Sequence, residues 1–310
     1  MKSLCDYKFG AAHDQLDRLL RDRTTGEYIR FNTDNYQEYG YGPEDQMTPD
    51  VVLQLDILPR VAKSKEQQKA RSKAKAEVFT PSWICNTMNN VCDTEWFGHD
   101  DVFNIEDKDH HTWTPTDKVI FPSDKTWEEY VNLNKIEITC GEAPFIVSRY
   151  DTTTGEIIPI SHRIGFLDRK LRVIKENHRP GLSLQPGEYL GDGGFSEWYD
   201  WVKIAFQRSY GFEWSGDNLL LARVNMLNTY YDYAYERADF KGFQCISWKK
   251  FENTFDLIAT IISWNIFQMD GLKFTLPNTD IPAKIMDWEK GEVIEFRSLA
   301  KKEPETKPKK

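Results

Sequence analysis

The sequence predicts an α/β fold in which a parallel sheet follows a helical N-terminal region. Short apolar runs rich in β-branched and aromatic residues alternate with longer segments whose apolar positions have helical spacing. The 310 residues are 40% hydrophobic and 29% charged, a composition typical of a globular protein with a substantial core. We predict a helical N-terminal region at 1–75, an α/β domain at 76–300 and a disordered basic tail at 301–310.

Two helices are predicted in the N-terminal region. Apolar residues at helical spacing predict the first over 10–24, and a polar loop rich in Tyr and Gly follows at 26–46. The second is predicted over 47–77, with Thr48 as its cap and Pro49 in its first turn.

Strands and helices alternate through the rest of the chain. Helices are predicted over 82–97, 126–133, 165–177, 196–208 and 216–236, with a helix or loop over 250–263. Strands are predicted over 135–140, 210–214 and 266–269, with a C-terminal strand pair at 283–287 and 292–296. The remaining segments are predicted to be a loop at 98–126, a hairpin at 151–163 and a Gly/Pro-rich link at 179–194.

Charge does not favour general binding of polyanions, because 49 acidic residues outnumber 40 basic ones. Local charge differs from this total. The stretch 63–77 holds six basic residues against two acidic ones, and it is either a solvated helix face or a surface that follows a phosphate backbone. Ten tryptophans exceed what a core of this size needs, and a recognition surface would use the surplus.

Cysteine usage and hydropathy predict a cytoplasmic protein. Five cysteines form no framework of regular spacing, so we expect reduced thiols. Cys85 and Cys92 share a predicted helix, but no accompanying motif supports a zinc site. The sequence has no apolar run of membrane-spanning length, and its start lacks the apolar segment of a secretory signal.

Candidate binding residues follow the predicted parallel strands. In open parallel sheets, ligands bind beside the carboxyl ends of the strands. Glu137 lies in the first strand, and Cys140, Gly141 and Glu142 follow it. Glu213 ends the second strand, and Asp270 follows the third. One acid to hold ribose hydroxyls and another to accept from an exocyclic amine are what an adenosine site requires.

Each of these residues also has a simpler interpretation. Glu213 could be an exposed turn carboxylate, Asp270 could start a turn with Gly271, and Cys140 could be a small core residue. All three simple interpretations together are harder to sustain, because each acid follows a predicted strand.

Four motifs resemble those of amino-type DNA methyltransferases of restriction–modification systems. VFTPSWICNTM (78–88) resembles the Phe-Thr-Pro motif of that family, and EITCGEAPF (137–145) its glycine-rich motif, with Ala143 and Pro144 where Gly is usual. SYGFEWSGDNLLLARVNML (209–227) and NIFQMDGL (265–272) resemble the two motifs that carry its ribose-binding and adenine-contacting acids. The resemblance covers roughly residues 76–290.

The resemblance implies a Rossmann-like sheet that binds S-adenosylmethionine and acts on the adenine N6 of DNA. The residues that match the cofactor-binding motifs are Phe79, Thr80, Pro81, Glu137, Cys140, Gly141, Glu142, Phe145, Glu213 and Asp270. The family also uses a polar-Pro-Pro-aromatic tetrapeptide that holds the flipped base. This chain has no Pro-Pro dipeptide, and Asp287 and Trp288 are the acid–aromatic pair at the corresponding place.

Three functions are therefore expected in order of preference. The first is an S-adenosylmethionine-dependent DNA adenine-N6 methyltransferase, or the modification subunit of a restriction–modification system. The second is a catalytically silent subunit that binds cofactor or DNA beside a separate catalytic chain. The missing Pro-Pro favours this second function, whereas the acids of the cofactor site argue against a purely structural role. The third is a methyltransferase for a small molecule or a protein.

Overall fold

Helices form the larger part of the regular secondary structure in the described chain. The computed structural model describes residues 11–55, 57–63, 65, 68, 80–178, 195–241 and 248–300. Its α-helices are α1 (Ala11–Leu20), α2 (Pro49–Gln54), α3 (Ser82–Phe97), α4 (Trp127–Val131), α5 (Phe166–Asn177), α6 (Phe195–Gln207), α7 (Gly216–Lys241), α8 (Trp248–Asn265) and α9 (Arg297–Ala300). The predicted helices of the α/β domain are confirmed, with α3, α5 and α6 within one residue of their expected bounds.

Seven short strands form three small sheets in the described part of the chain. The strands are β1 (Asn104–Asp107), β2 (Thr112–Pro115), β3 (Lys135–Glu137), β4 (Ser209–Glu213), β5 (Ile266–Gln268), β6 (Lys284–Asp287) and β7 (Glu292–Glu295). Strands β3, β4 and β5 are parallel and adjacent in that order, which confirms a mixed α/β protein with a parallel sheet. Within the described ranges, no sheet closes into a barrel.

The two faces of the parallel sheet are covered differently. Helices cover one face, where Ile266 belongs to a large core built mainly from α1, α5, α6, α7 and α8. The antiparallel hairpin β6–β7 covers the other face, where Ile285 packs with Phe212 and Phe267. The predicted C-terminal strand pair is confirmed, but it forms a sheet of its own and does not extend the parallel sheet.

The N-terminal region packs directly on the C-terminal third of the chain. Leu16, Leu19 and Leu20 of α1 are fully buried in the core that also contains α8. On the polar side of α1, Gln15 donates to Asp256 of α8 at 2.6 Å. Region 1–75 therefore shares the core of the α/β domain wherever the structure describes it.

The helix predicted over 47–77 is interrupted: α2 lies near its start, and the backbone is helical again at Lys65 and Gln68. Thr48 caps α2 as predicted, because its hydroxyl accepts from the backbone N–H of Val51 at 3.3 Å. The first helical segment ends at Gln54, where Leu55 is extended, and Pro59 disfavours helical backbone at Leu58, so the helix does not resume there. Most of the basic stretch 63–77 lies outside the described residues, as do the tail 301–310 and the link 179–194.

Two further expectations are corrected. The segment predicted as a loop at 98–126 contains the hairpin β1–β2, which is held to α3 by hydrogen bonds from the Asn86 amide to Asn104 and Glu106. The strand predicted over 135–140 ends at Glu137, because Thr139 has a φ of 51° that no strand accommodates.

Candidate active site

The carboxyl ends of β3, β4 and β5 bring three sequence-predicted acids to one edge of the sheet. Glu137 is the last residue of β3, Glu213 is the last of β4, and Asp270 lies two residues beyond β5. All three are nearly buried, with exposed fractions of 8%, 9% and 8%. Carboxylates are seldom buried unless bound by hydrogen-bond donors, so the contacts of each acid identify its role.

The loop after β3 turns sharply at the same edge. Thr139, Gly141 and Ala143 all have positive φ, at 51°, 53° and 66°. Glycine adopts this conformation without strain, whereas Thr and Ala do not. Backbone strain of this kind is concentrated at functional sites, where the surrounding structure enforces it.

Glu213 holds this loop in place. Its carboxylate accepts from the backbone N–H groups of Gly141 at 2.8 Å, Trp214 at 3.0 Å and Ser215 at 3.1 Å. Burial raises the pKa of Glu213, and the three N–H groups oppose that rise. The interpretation of Glu213 as an exposed turn carboxylate is wrong, because the side chain is buried between two strand ends.

Glu137 lies on the other side of the loop. Its carboxylate accepts from the backbone N–H of Ile146 at 3.2 Å. Burial raises the pKa of Glu137 well above its usual range, and the nearby Glu213 charge adds to the rise.

Asp270 forms a turn at the end of β5. Its Oδ1 accepts from the backbone N–H groups of Leu272 at 2.9 Å and Lys273 at 3.2 Å. The alternative in which Asp270 starts a turn is therefore confirmed. The turn also fixes Asp270 at the same sheet edge as Glu213, because β4 and β5 are parallel neighbours.

Glu142 and Cys140 have structural roles. Glu142 accepts from the backbone N–H of Arg60 and from the hydroxyl of Tyr150, both at 2.6 Å. It is only 1% exposed, so it anchors the N-terminal region to the loop and cannot reach a ligand as predicted. Cys140 is buried, and burial raises the pKa of its thiol well above the usual range, as expected of a small core residue.

The Thr80-Pro81 segment is fixed beside the turn that follows the strained loop. The Thr80 carbonyl accepts from the Thr152 hydroxyl at 3.0 Å, and Pro81 is the residue that precedes α3. The N–H of Ser82 donates to Asp151 at 2.7 Å. Although burial opposes it, hydrogen bonds from Thr153, Ser82 and Thr154 lower the pKa of Asp151 to about 2.

The two remaining predicted cofactor residues are Phe79 and Phe145. Phe79 lies outside the described residues. Phe145 is half-buried, and its carbonyl accepts from the Asn89 amide of α3 at 3.1 Å. Helix α3 therefore connects the Thr80-Pro81 segment to the loop after β3.

Asp287 and Trp288 lie at the amino ends of the parallel strands, opposite the three acids. The Trp288 indole donates to Asn265 at 2.7 Å, and Asn265 immediately precedes β5. The Asn265 amide in turn donates to the carbonyl of Ser209, the first residue of β4. Ser209 and Glu213 are the first and last residues of β4, and at the usual rise of a strand they lie roughly 13 Å apart.

The predicted catalytic pair is thus not brought together with the acids of the cofactor set. Asp287 accepts from the backbone N–H groups of Glu289 and Lys290, which form the turn between β6 and β7. Trp288 packs against the large core. Both residues therefore have structural partners, and neither lies at the carboxyl edge. The cause is that β6 pairs with β7 and not with the parallel sheet.

A segment that sequence reasoning did not select closes over the ends of β4 and β5. The Arg30 carbonyl accepts from the Gln268 side-chain amide at 2.7 Å, and the Arg30 N–H donates to the Gln268 side-chain oxygen at 3.0 Å. The Phe31 carbonyl accepts from the N–H of Gly216, whose missing Cβ would lie 2.1 Å from the Arg30 carbonyl oxygen. Only glycine permits this approach, and Gly216 was the sequence signal available for it.

Asn32 is the residue of this segment most relevant to binding. It is 3% exposed, has a φ of 47°, and its Oδ1 has no hydrogen-bond partner among the described residues. A buried acceptor without a donor is costly in free energy, and a bound ligand with an N–H or O–H group would relieve that cost.

No known family model, curated protein or solved structure matches this chain. No helix in the described ranges is both long and apolar enough to cross a bilayer. Among the same residues, no three His, Cys, Asp or Glu side chains are grouped so that they could hold a metal ion. The geometry of the carboxyl edge is therefore the basis for any functional assignment.

Proposed function

We propose that this chain binds S-adenosylmethionine at the carboxyl edge of its parallel sheet, as a DNA adenine-N6 methyltransferase or the modification subunit of a restriction–modification system. The observation that carries the proposal is the hydrogen bond from Gly141 to Glu213. It joins two of the motifs that resemble the methyltransferase family, one at the end of β3 and the other at the end of β4. In this proposal the parallel strands are the centre of a Rossmann-like sheet.

The residues at this edge fit the adenosine part of the cofactor. Glu213 is the candidate for the ribose hydroxyls, and Asp270 for the adenine amine. Asn32 adds a buried acceptor that lacks a donor at the same edge. Glu142 does not fit, since its carboxylate already binds Arg60 and Tyr150. When bound, S-adenosylmethionine supplies an activated methyl group, and the residues of the chain align it and exclude water.

A second candidate function is a catalytically silent cofactor- or DNA-binding subunit that works beside a separate catalytic chain. The position of Trp288 favours it, because the indole binds Asn265 at the amino edge and does not face the proposed cofactor site. In this case the chain would bind S-adenosylmethionine, and the acceptor for the target amine and the aromatic ring that stacks on the base would come from the partner chain.

Calorimetry with S-adenosylmethionine, followed by a methyl-transfer assay on mixed genomic DNA, tests both candidates. Binding with methyl transfer supports the methyltransferase, and binding without transfer supports the silent subunit. Absence of binding would reject the methyltransferase and the cofactor-binding form of the silent subunit. The variant Trp288→Phe, which keeps an aromatic core residue but removes the indole N–H, should leave cofactor affinity within about twofold, since Trp288 binds Asn265 away from the proposed cofactor site.

A further inference from the structure

A separate aromatic pocket lies between helix α3 and the hairpin β1–β2, away from the three strand ends. It has a volume of about 250 Å³, and its walls include Trp83 of α3 with His111 and Trp113 of the hairpin. Binding sites for drug-sized molecules usually measure 300 Å³ or more. The pocket therefore suits a group the size of a side chain better than a whole nucleotide.

The aromatic wall is held in place before any ligand arrives. The rings of Trp83 and His111 stack with centroids 4.0 Å apart and planes 13° from parallel. His111 has a φ of 55°, a strained conformation for a residue other than glycine. The Trp113 indole is fixed by a 2.8 Å hydrogen bond to the carbonyl of His162.

The charge at the pocket is negative and immobile. Glu106 lines the pocket, and its Oε1 accepts from the side-chain amides of Asn86 at 3.1 Å and Asn90 at 3.0 Å. Asp107 and Lys108 also line the pocket, so its charged lining is two carboxylates and one ammonium, and the surrounding residues 98–117 carry six carboxylates in all. An anionic ligand such as a nucleic-acid phosphate would be repelled by this surface, whereas a cation would be attracted.

We infer that this pocket binds a methylated ammonium group. Indole faces attract cations more strongly than other aromatic rings do, and a carboxylate beside them adds to the attraction. The Glu106 oxygen already accepts hydrogen bonds from two amides. The pocket therefore favours a cation that has no N–H groups and so needs no hydrogen-bond acceptor. Such a group can come from a free choline-like molecule or from a trimethylated lysine side chain. The inference does not depend on the proposed cofactor site.

The experiment is an NMR titration of ¹⁵N-labelled protein, following the Trp113 indole N–H signal, which is assigned by its loss in Trp113→Phe. Choline is compared with 3,3-dimethylbutan-1-ol, which has the same shape but no charge. We expect choline to bind at least fivefold more tightly than the uncharged alcohol. A peptide that contains trimethyl-lysine is titrated in parallel, to test whether the natural ligand is a protein side chain. Equal binding of the two probes, or no shift with either cation, would overturn the inference.

Variants provide the matched controls. Glu106→Gln keeps an acceptor for Asn86 and Asn90 but removes the charge, so choline affinity should fall fivefold or more. Asp109→Asn removes a charge from the same hairpin outside the pocket, and its affinity should stay within twofold of the parent. An equal loss in both variants would indicate general electrostatic attraction and reject a built site. Tighter binding of adenosine than of choline would reject the cation in favour of a stacking site for bases.

Discussion

The backbone N–H of Gly141 lies 2.8 Å from the carboxylate of Glu213, so the acid that ends β4 also fixes the loop that follows β3. Two segments far apart in sequence thus depend on one side chain. Any ligand that binds Glu213 must share that carboxylate with the Gly141, Trp214 and Ser215 amides. If the proposed function is correct, cofactor affinity and loop stability are linked at this residue.

The first prediction concerns Glu213→Ala. The substitution leaves three backbone N–H groups without their acceptor, so the free energy of unfolding should fall by about 2–3 kcal/mol. Affinity for S-adenosylmethionine should fall tenfold or more, as measured by calorimetry on folded protein. Glu95→Ala, which removes an exposed acid from α3, is the control and should change neither quantity. Unchanged cofactor affinity in Glu213→Ala would remove Glu213 from the site.

The second prediction concerns Asn32→Gly. Glycine keeps the positive φ at no cost and removes the buried Oδ1, so stability should hold or rise slightly. If Oδ1 accepts from the cofactor, affinity for S-adenosylmethionine should fall about five- to tenfold, the range of a lost hydrogen bond in a buried site. Asn278→Gly is the matched control, because Asn278 has a φ of 59° but is exposed. Equal affinity in the two variants would limit Asn32 to a role in the turn.

The third prediction concerns strain in the loop after β3. Thr139 is exposed and has a φ of 51°, so Thr139→Gly relieves backbone strain without removing buried contacts. Strain relief of about 1–2 kcal/mol, less the added entropy of the unfolded chain, should raise stability by about 0.5–1 kcal/mol. Ala143→Gly relieves similar strain but also removes a buried methyl worth about 0.8 kcal/mol, so its net effect should be near zero. Urea denaturation measures both, and a destabilised Thr139→Gly would contradict the assignment of strain.

The fourth prediction concerns pH. Burial raises the pKa of Asp168 to about 6, although Arg163 and hydrogen bonds from Ser148 oppose the rise. In the unfolded chain an aspartate titrates near 3.9, so between about pH 4 and 6 the unfolded state loses a proton that the folded state keeps. The contribution of Asp168 to stability is therefore fully present below pH 4 and is lost as the pH rises through 6.

Asp168→Asn removes this dependence on pH. The stability of the variant relative to the parent should increase by about 2–3 kcal/mol between pH 4 and 7, whatever the absolute difference at either pH. Asp117→Asn, at an exposed position, should show no such change. Thermal or urea unfolding across this range measures the difference, and parallel curves for parent and Asp168→Asn would show that the folded-state pKa is not raised.

Local signals were sufficient to predict most of the helices and the parallel strands. Pro81 and Gly98 delimit α3, and Gly165 precedes α5, so their bounds could be read from the chain. The hairpin β1–β2 was not predicted, because the sequences NIED and TWTP lack clear alternation. What stabilises this hairpin is α3, through the amides of Asn86 and Asn90, and such a contact has no local signature.

The candidate site could be predicted only where it follows strand ends. Glu137, Glu213 and Asp270 were predicted because parallel strands bring their carboxyl ends together. Asp287 and Trp288 were expected beside them because they stand at the place of the tetrapeptide in the family that the sequence resembles. The sequence alone does not reveal which sheet a strand joins. Asn32 was not predicted, since its neighbours Arg30 and Phe31 are held at the strand ends by Gln268 and Gly216, residues distant in the chain.

The contact between α1 and α8 has a consequence for biosynthesis. Gln15 and Arg18 bind Asp256, so the partners are separated by 241 and 238 residues. At typical translation rates, roughly 10–50 seconds pass before the ribosome has made the residues that cover Leu16, Leu19 and Leu20. During that interval the apolar side of α1 is available to chaperones. Folding is therefore expected to be slow and largely post-translational, because loop closure on this scale precedes the contacts that stabilise it.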